Sequence, residues 1–285
     1  MKLSDINEVR SILEREGFSF KKSLGQNFLI NPDVCPAMAK AVFSEDIGVL
    51  EIGPGIGVLT AELSKKAKRV VAIELDERLR PILKKTLGEY SNCEVVFGDA
   101  MKLDLKALIE EKFADCKAVS VCANLPYYIT SPIVMMLLES KLPIKEIVVM
   151  VQKEAAERLC AKVGSRQSGA VTVAVNYYAE SEILFSVDRD SFMPPPNVDS
   201  AVIKLKIRPE PPVKVEDEKF FFSLVKACFA QRRKTLVNTV SNTLSINKEL
   251  LKEALLNIGE DINARGEKLT MEKLALLSNE LKKLK

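Results

Sequence analysis

Between Gly48 and Ile207, short runs of β-branched and aliphatic residues alternate with stretches whose apolar positions recur every three or four residues. Val49–Gly53, Arg69–Leu75, Glu94–Gly98, Val119–Ala123 and Glu146–Val151 read as strands, with helical periodicity filling the gaps. A helix between each pair of strands rules out hairpins. The order therefore predicts an α/β fold with a mostly parallel sheet covered by helices on both faces. The apolar segments near Ile183–Val187 and Ala201–Ile207 read as closing strands of the same sheet. In such a sheet, ligands bind outside the carboxyl ends of the strands. The residues at those ends are where function is to be sought.

Four of those ends carry a polar group at nearly constant spacing. Glu51 to Glu74 is 23 residues, Glu74 to Asp99 is 25, and Asp99 to Asn124 is 25. After the first strand comes Gly53-Pro54-Gly55-Ile56-Gly57, a loop that lets backbone approach a ligand closely. Such a loop alone does not choose between cofactors, and Val58 stands where the dinucleotide fingerprint has its third glycine. Glu51 at its mouth is unfavourable beside a pyrophosphate but compatible with a sulfonium cation, and the Lys-Ser/Thr of a phosphate-binding P-loop is missing. An adenosine-bearing ligand without a polyphosphate fits. Glu74 is placed to accept from ribose hydroxyls and Asp99 from an adenine amine. Any one of these is also an ordinary strand-terminal turn residue.

Asn124-Leu125-Pro126-Tyr127 ends the fourth strand. An adenine exocyclic amine is a poor nucleophile, because its lone pair is delocalised into the ring. The Asn124 side-chain oxygen and the Leu125 carbonyl can accept its two N–H protons and favour a pyramidal amine with a directed lone pair. Pro126 holds Leu125 extended and so aims that carbonyl. Tyr127 is a candidate to stack on a flipped base, with Phe192 against its opposite face or edge. This chemistry suits a chain with no histidine.

Length and composition bound the rest. The 285 residues suit one α/β domain and a smaller partner, with 47% hydrophobic residues to build cores. Pro209, Pro211 and Pro212 mark a linker, after which apolar positions such as Phe221, Leu224, Val225, Cys228 and Phe229 recur at helical spacing. The expected division is residues 1–208, binding cofactor, and 209–285, a small all-helical domain whose basic residues make it the RNA-binding candidate. The six cysteines form no C-x-x-C pair, which argues against a metal site and for reduced, buried thiols. The uncharged stretch Ala118–Leu138 is broken by Asn124, Pro126, Ser131 and Pro132, so it predicts strand, loop and helix rather than a membrane span. The first sixteen residues carry no targeting pattern, and a cytoplasmic location is expected.

Five segments resemble the ribosomal RNA small-subunit adenine dimethyltransferases, in order and across nearly the whole chain. They are Gln26-Asn27-Phe28-Leu29, Glu51 to Gly55, Asn124 to Tyr127, Phe192 to Ser200, and Phe229 to Leu236. The resemblance implies the class I methyltransferase (Rossmann-like) fold and S-adenosylmethionine as cofactor. It implies conversion of two adjacent adenosines near the RNA's 3′ end to dimethyladenosine during small-subunit assembly. It further implies that Asn27 and Leu29 touch the cofactor's methionine side, Gly53 its backbone-lined edge, Glu74 the ribose, Asp99 the adenine and Asn124 the methyl-transfer site. Ser168 departs from a tyrosine that many relatives carry.

On the helix beginning near Asp217, Lys219, Lys226 and Arg233 fall at i, i+7 and i+14, with Arg232 and Lys234 beside its end. Such a stripe suits a phosphate backbone, although a solvated helix face has the same pattern. Lys21 and Lys22, beside Phe18 and Phe20, are a second candidate contact. Three other functions share parts of this pattern: large-subunit methylation of the macrolide-resistance type, a non-catalytic assembly or transcription factor, and methylation of protein glutamine or DNA adenine. Pro194-Pro195-Pro196 and Gln231 to Lys234 favour the small-subunit reading, and intact Glu74, Asp99, Asn124 and Tyr127 favour catalysis.

Overall fold

The computed structural model describes residues 6–15, 17, 27–231 and 233–283. Helices α1 (Ile6–Arg15), α2 (Val34–Ala41), α3 (Val58–Ser64), α4 (Arg80–Thr86), α5 (Leu105–Lys112), α6 (Thr130–Glu139) and α7 (Lys153–Leu159) accompany strands β1 (Phe28–Leu29), β2 (Ile47–Ile52), β3 (Arg69–Glu74), β4 (Cys93–Phe97), β5 (Ala118–Asn124) and β6 (Glu146–Gln152). Then follow α8 (Ala170–Tyr178), β7 (Ala179–Val187), β8 (Phe192–Met193), β9 (Ser200–Ile207), α9 (Glu218–Phe229), α10 (Leu236–Leu244), α11 (Lys248–Asn257) and α12 (Met271–Lys283).

Seven strands form one sheet in the order β4-β3-β2-β5-β6-β9-β7. The pairs β2–β3, β3–β4, β2–β5 and β5–β6 are parallel, and β6–β9 is antiparallel. The central strand β2 is buried at every residue, as its unbroken apolar run predicts for a strand covered on both faces. On one face Val49, Val70, Cys122, Val148 and Val202, from five strands, meet Val34, Met38, Leu59 and Leu63 of α2 and α3. Glycine at position 48 has a packing reason: a Cβ there would lie 2.4 Å from the Phe113 ring. A two-stranded sheet pairs β1 with β8, setting Leu29 opposite Phe192.

Ala118–Leu138 resolves into β5, a 3-10 turn over Tyr127–Ile129 and α6. Among the described residues no helix is long and apolar enough to cross a membrane.

Two compact units emerge, Met1–Ala156 with Ser181–Ile207, and Glu157–Glu180 with Arg208–Lys285. The sequence-based division at residue 208 placed Glu157–Glu180 in the first domain; by packing it groups with the C-terminal helices. Val173 and Tyr177 of α8 enter the same core as Phe221, Leu224 and Val225 of α9 and Leu251, Leu255 and Leu274 of α11 and α12. The Tyr177 and Phe221 rings stand 5.5 Å apart, and Tyr178 donates its hydroxyl to Glu218 at 2.7 Å. These are contacts between residues far apart in sequence, which periodicity does not encode.

The helix expected to carry the basic stripe is shorter than its spacing implied. Asp217 caps α9 by accepting from the Phe220 N–H, but the helix stops at Phe229, so Arg233 is not on it. The chain tightens through an Ala230 N–H to Ala227 carbonyl bond and turns. Thr235 then caps α10, accepting from the Asn238 N–H at 3.4 Å. That new N-cap competes with continued helix.

Candidate active site

Strand β2 is where the order of strand addition reverses: β3 and β4 lie to one side and β5 and β6 to the other. Connections leaving β2 and β5 diverge there and open a crevice. The cleft at this point holds about 1200 Å3 of empty space, counting that open to solvent. Glu51, Gly53, Glu74, Asp99, Asn124, Leu125, Pro126, Tyr127, Asn27, Leu29 and Phe192 all line it. The residues singled out as cofactor-binding or catalytic are thus brought together.

The glycine loop follows from backbone geometry. Gly53, Gly55 and Gly57 have φ of 74°, 59° and 92°, left-handed values that side chains resist. The Gly53 N–H donates to the Ile73 carbonyl, which fastens the loop to β3. A Cβ at Gly55 would press on the Phe28 ring at 3.2 Å, whereas one at Gly53 would meet nothing within 4 Å. The backbone at Gly53 therefore faces space that a ligand can fill.

Two acids sit in this loop's shadow. Glu74 Oε2 accepts from the Gly55 N–H at 3.2 Å, and Oε1 from the Asp76 N–H at 2.8 Å. Burial nevertheless raises its pKa above the ordinary carboxylate value, against the pull of those bonds. Its remaining lone pairs can still accept hydroxyl protons. Glu51 is only 1% exposed, and burial pushes its pKa up to about 8. The Thr60 hydroxyl beside it pulls the other way without reaching hydrogen-bond geometry, and the Glu74 charge raises it further. Glu51 Oε2 has no hydrogen-bond partner among the described residues. A buried carboxyl with an unused oxygen, lining a cleft, suits a cationic ligand.

Asp99, beyond the end of β4, accepts from the Met101 N–H at 3.0 Å through Oδ1. Across the cleft, Asn124 ends β5 opposite Met150 of β6. The Leu125 N–H donates to the Met150 carbonyl at 3.2 Å, and Pro126, at φ −58°, starts the 3-10 turn. The Leu125 peptide is thereby fixed on both sides. No hydrogen bond engages the Asn124 side-chain amide among the described residues, so its oxygen is available to the cleft.

The aromatic residues are held by different means. Tyr127 is partly buried, its hydroxyl 2.7 Å from Ser200 Oγ at the start of β9. Phe192, 3% exposed, bounds the cleft from β8 and belongs to the core beneath it. Asn27 precedes β1 and Leu29 lies within it. The backbone of this segment is tied down by the Ile30 N–H to the Ser191 carbonyl at 2.8 Å and by Asn31 Nδ2 to Ser191 Oγ at 3.1 Å.

Sequence reasoning missed several wall residues. Leu75, Met101 and Tyr128 line the cleft although they are 52%, 44% and 54% exposed. The available signal was position: Leu75 adjoins Glu74, Met101 follows Asp99 by two, and Tyr128 follows Tyr127. Cys35 and Met38 of α2 also contribute, and nothing local in the sequence marks them. The RNA-contact candidates lie in the second unit. Lys226 is exposed on α9, and Arg233 and Lys234 are exposed in the turn before α10. Arg232, Phe18, Phe20, Lys21, Lys22 and Gln26 lie outside the described residues.

Comparison with known proteins fits this geometry. The family model for ribosomal RNA adenine dimethylase matches residues 17–283. The ribosomal RNA small subunit methyltransferase A of Geobacillus thermodenitrificans is 52% identical over 276 residues, covering 95% of this chain and 94% of that protein. The protein of the same name from Bacillus mycoides is 51% identical over 279 residues, 96% of each chain. Among solved structures, a dimethyladenosine transferase from Plasmodium falciparum has a TM-score of 0.69 at 29% identity, over 88% of this chain and 95% of that one. The 23S rRNA methyltransferase ErmE has a TM-score of 0.67 at 28% identity, over 90% of this chain and 100% of that one. The chain belongs to the ribosomal RNA adenine dimethylase family of S-adenosylmethionine-dependent methyltransferases.

Proposed function

We propose that the chain transfers methyl groups from S-adenosylmethionine to the exocyclic amines of two adjacent adenosines near the 3′ end of small-subunit ribosomal RNA, giving dimethyladenosine, within a partly assembled small subunit. The observation that supports this reading best is the convergence of Glu51, Glu74, Asp99 and Asn124 on one cleft at the switch point. The choice of subunit rests on relatives about half identical over nearly full length that are named for the small subunit. A fold shared with both a dimethyladenosine transferase and a large-subunit enzyme does not make that choice.

The cleft's residues divide the work. Glu74 accepts from the ribose hydroxyls, Asp99 from the adenine amine, and the bare backbone at Gly53 with Asn27 and Leu29 lines the methionine end. Bound there, S-adenosylmethionine supplies a methyl group on a positively charged sulfur, an electrophile whose neutral leaving group needs no acid. Catalysis by the protein is then alignment and electrostatics. In the first transfer the Asn124 side-chain oxygen and the Leu125 carbonyl accept the target amine's two N–H groups and turn its lone pair toward the methyl; in the second, one of them holds the N–H that is left, and each time the proton freed from the methylated nitrogen passes to solvent. Tyr127 lies against one face of the flipped base and Phe192 against its opposite face or edge. In the second unit, Lys226, Arg233 and Lys234, with Arg232, contact RNA phosphates.

Incubation of the protein with labelled S-adenosylmethionine and undermethylated small subunits, with large subunits as control, tests the reading. Dimethyladenosine at two neighbouring small-subunit positions is expected. Label confined to large subunits would overturn the choice of substrate, and cofactor binding without any transfer would overturn catalysis.

Glu51 makes cofactor affinity depend on pH. Its raised pKa keeps it protonated below about 8, and a bound cation favours the charged form. Affinity for S-adenosylmethionine therefore rises as pH climbs toward that value, by at most about tenfold per pH unit. Titration between pH 6.5 and 9 on the native protein and on Glu51→Gln isolates this contribution, since the ligand's own ionisation is common to both. Parallel profiles would contradict the role given to Glu51.

The phosphate contacts have a separate signature. Lys226→Ala, Arg233→Ala and Lys234→Ala should each weaken binding to small subunits and reduce the slope of log affinity against log salt by roughly one contact, about 0.7 to 0.9. Slopes equal to the native one would remove these residues from the RNA face.

A further inference from the structure

The hydroxyl bond between Tyr127 and Ser200 joins positions 73 residues apart and has no part in the ladder of the sheet. Ser200 is fully buried, at the first position of β9, opposite Gln152 at the end of β6. Its neighbour Asp199 is fixed twice: its carbonyl accepts from the Lys153 N–H at 3.0 Å, and its Oδ1 accepts from the Arg189 N–H at 3.1 Å. Arg189 opens the 3-10 turn Arg189–Ser191, which leads directly into Phe192. Tyr127 and Phe192, two of the aromatic residues that line the cleft, are thus referenced to Asp199 and Ser200 at the start of β9. Tyr127 is reached through a side chain, and Phe192 through the turn before it.

We infer that Ser200 is a positioning residue for methyl transfer, holding the Tyr127 ring at a fixed distance from the Phe192 wall so that the target base enters a slot of set width. The inference rests on the reading that Tyr127 faces the target adenine. Three physical points support it. A tyrosine on a short 3-10 turn has a soft first side-chain torsion that swings the whole ring, and a bond at the far end of the ring restrains that swing. The bond is short and its serine is rigidly mounted, so it restrains the ring rather than following it. Burial raises the Tyr127 pKa, with Ser200 pulling it back, so the phenol stays neutral and able to share a proton with the serine throughout the neutral range. Tyr128 on the same turn supplies the contrast: it is 54% exposed and its hydroxyl has no hydrogen-bond partner among the described residues. Both tyrosines line the cleft, and among the described residues Tyr127 is the one whose hydroxyl is tethered.

The test is a double-mutant cycle in the full-length protein, read as single-turnover methyl transfer to undermethylated small subunits under saturating cofactor. Tyr127→Phe and Ser200→Ala each remove the same bond. Each should slow transfer about 2–13-fold, the range spanned by one net hydrogen bond. The double variant should be no slower than the slower single one, because the bond is lost only once. Ser200→Thr, which keeps the hydroxyl, should recover most of the rate. Affinity for S-adenosylmethionine, measured by calorimetry, should move less than twofold in every variant. Replacing the target adenosine by 2-aminopurine gives a second readout, since loss of the tether should alter the fluorescence of the flipped base.

A merely structural Ser200 predicts otherwise: its loss would multiply with that of Tyr127→Phe, track melting temperature and weaken cofactor binding as well. Multiplying effects, or a native rate for Ser200→Ala, would overturn the inference. Tyr127→Ala separates its failure from that of the underlying reading. If that variant turns over normally, Tyr127 does not face the base and the functional reading of the ring falls with the tether. If it is slow while Ser200→Ala is native, only the tether falls.

Discussion

Strand β2 has neighbours that run away from it in opposite directions along the sheet, and the cleft exists because of that reversal. A strand buried on both faces has only its ends available for polar work. At the carboxyl ends of β2 and β5 the connections lead apart, toward β3 on one side and β6 on the other, and leave a crevice between them. The left-handed glycines keep that space clear by turning the chain without a side chain. Moving the reversal by one strand would separate Glu51 and Glu74 from Asn124, and no set of local substitutions would bring them back together.

Holding acids at such a place has an electrostatic cost, visible in the elevated pKa values of Glu51 and Glu74. Glu74 is partly compensated by two backbone donors, one of them from the glycine loop itself. Glu51 has an oxygen with no partner among the described residues. Natural proteins leave few buried polar atoms in that condition, and one on a carboxyl that lines a cleft is open to a ligand. The carboxyl pair and the Asn124–Leu125 corner line the same cleft: one is suited to a cation, the other to the protons of an amine. That arrangement fits transfer of a group from a charged donor to a weak nucleophile, in a chain that carries no histidine to act as base.

Much of this was legible in the sequence because βα units of similar length repeat. A near-constant spacing of 23 to 25 residues returns the chain to the same end of the sheet each time, so Glu51, Glu74, Asp99 and Asn124 announced one another. Asn27 and Leu29 were legible only through family resemblance, since a two-residue strand has no periodicity to detect. The extent of α9 was overread. With no glycine or proline between Phe229 and Arg233 the pattern looked continuous, but Thr235 offered a competing start for α10. The placement of α8 with the C-terminal helices and the Tyr127–Ser200 bond depend on contacts between distant segments. Residues that pair across 73 positions leave no local signal.

The central claim is that the Asn124 amide, idle in the protein alone, is the acceptor that readies the target amine. The most direct measurement compares Asn124→Ala with the native protein in single-turnover methyl transfer to small subunits, with S-adenosylmethionine affinity determined on the same samples. The account predicts a fall in transfer of about 100-fold or more, the scale seen when one preorganised hydrogen-bonding group is removed, with cofactor affinity changed only a few-fold. Transfer at the native rate, or a loss explained entirely by weaker cofactor binding, would contradict it.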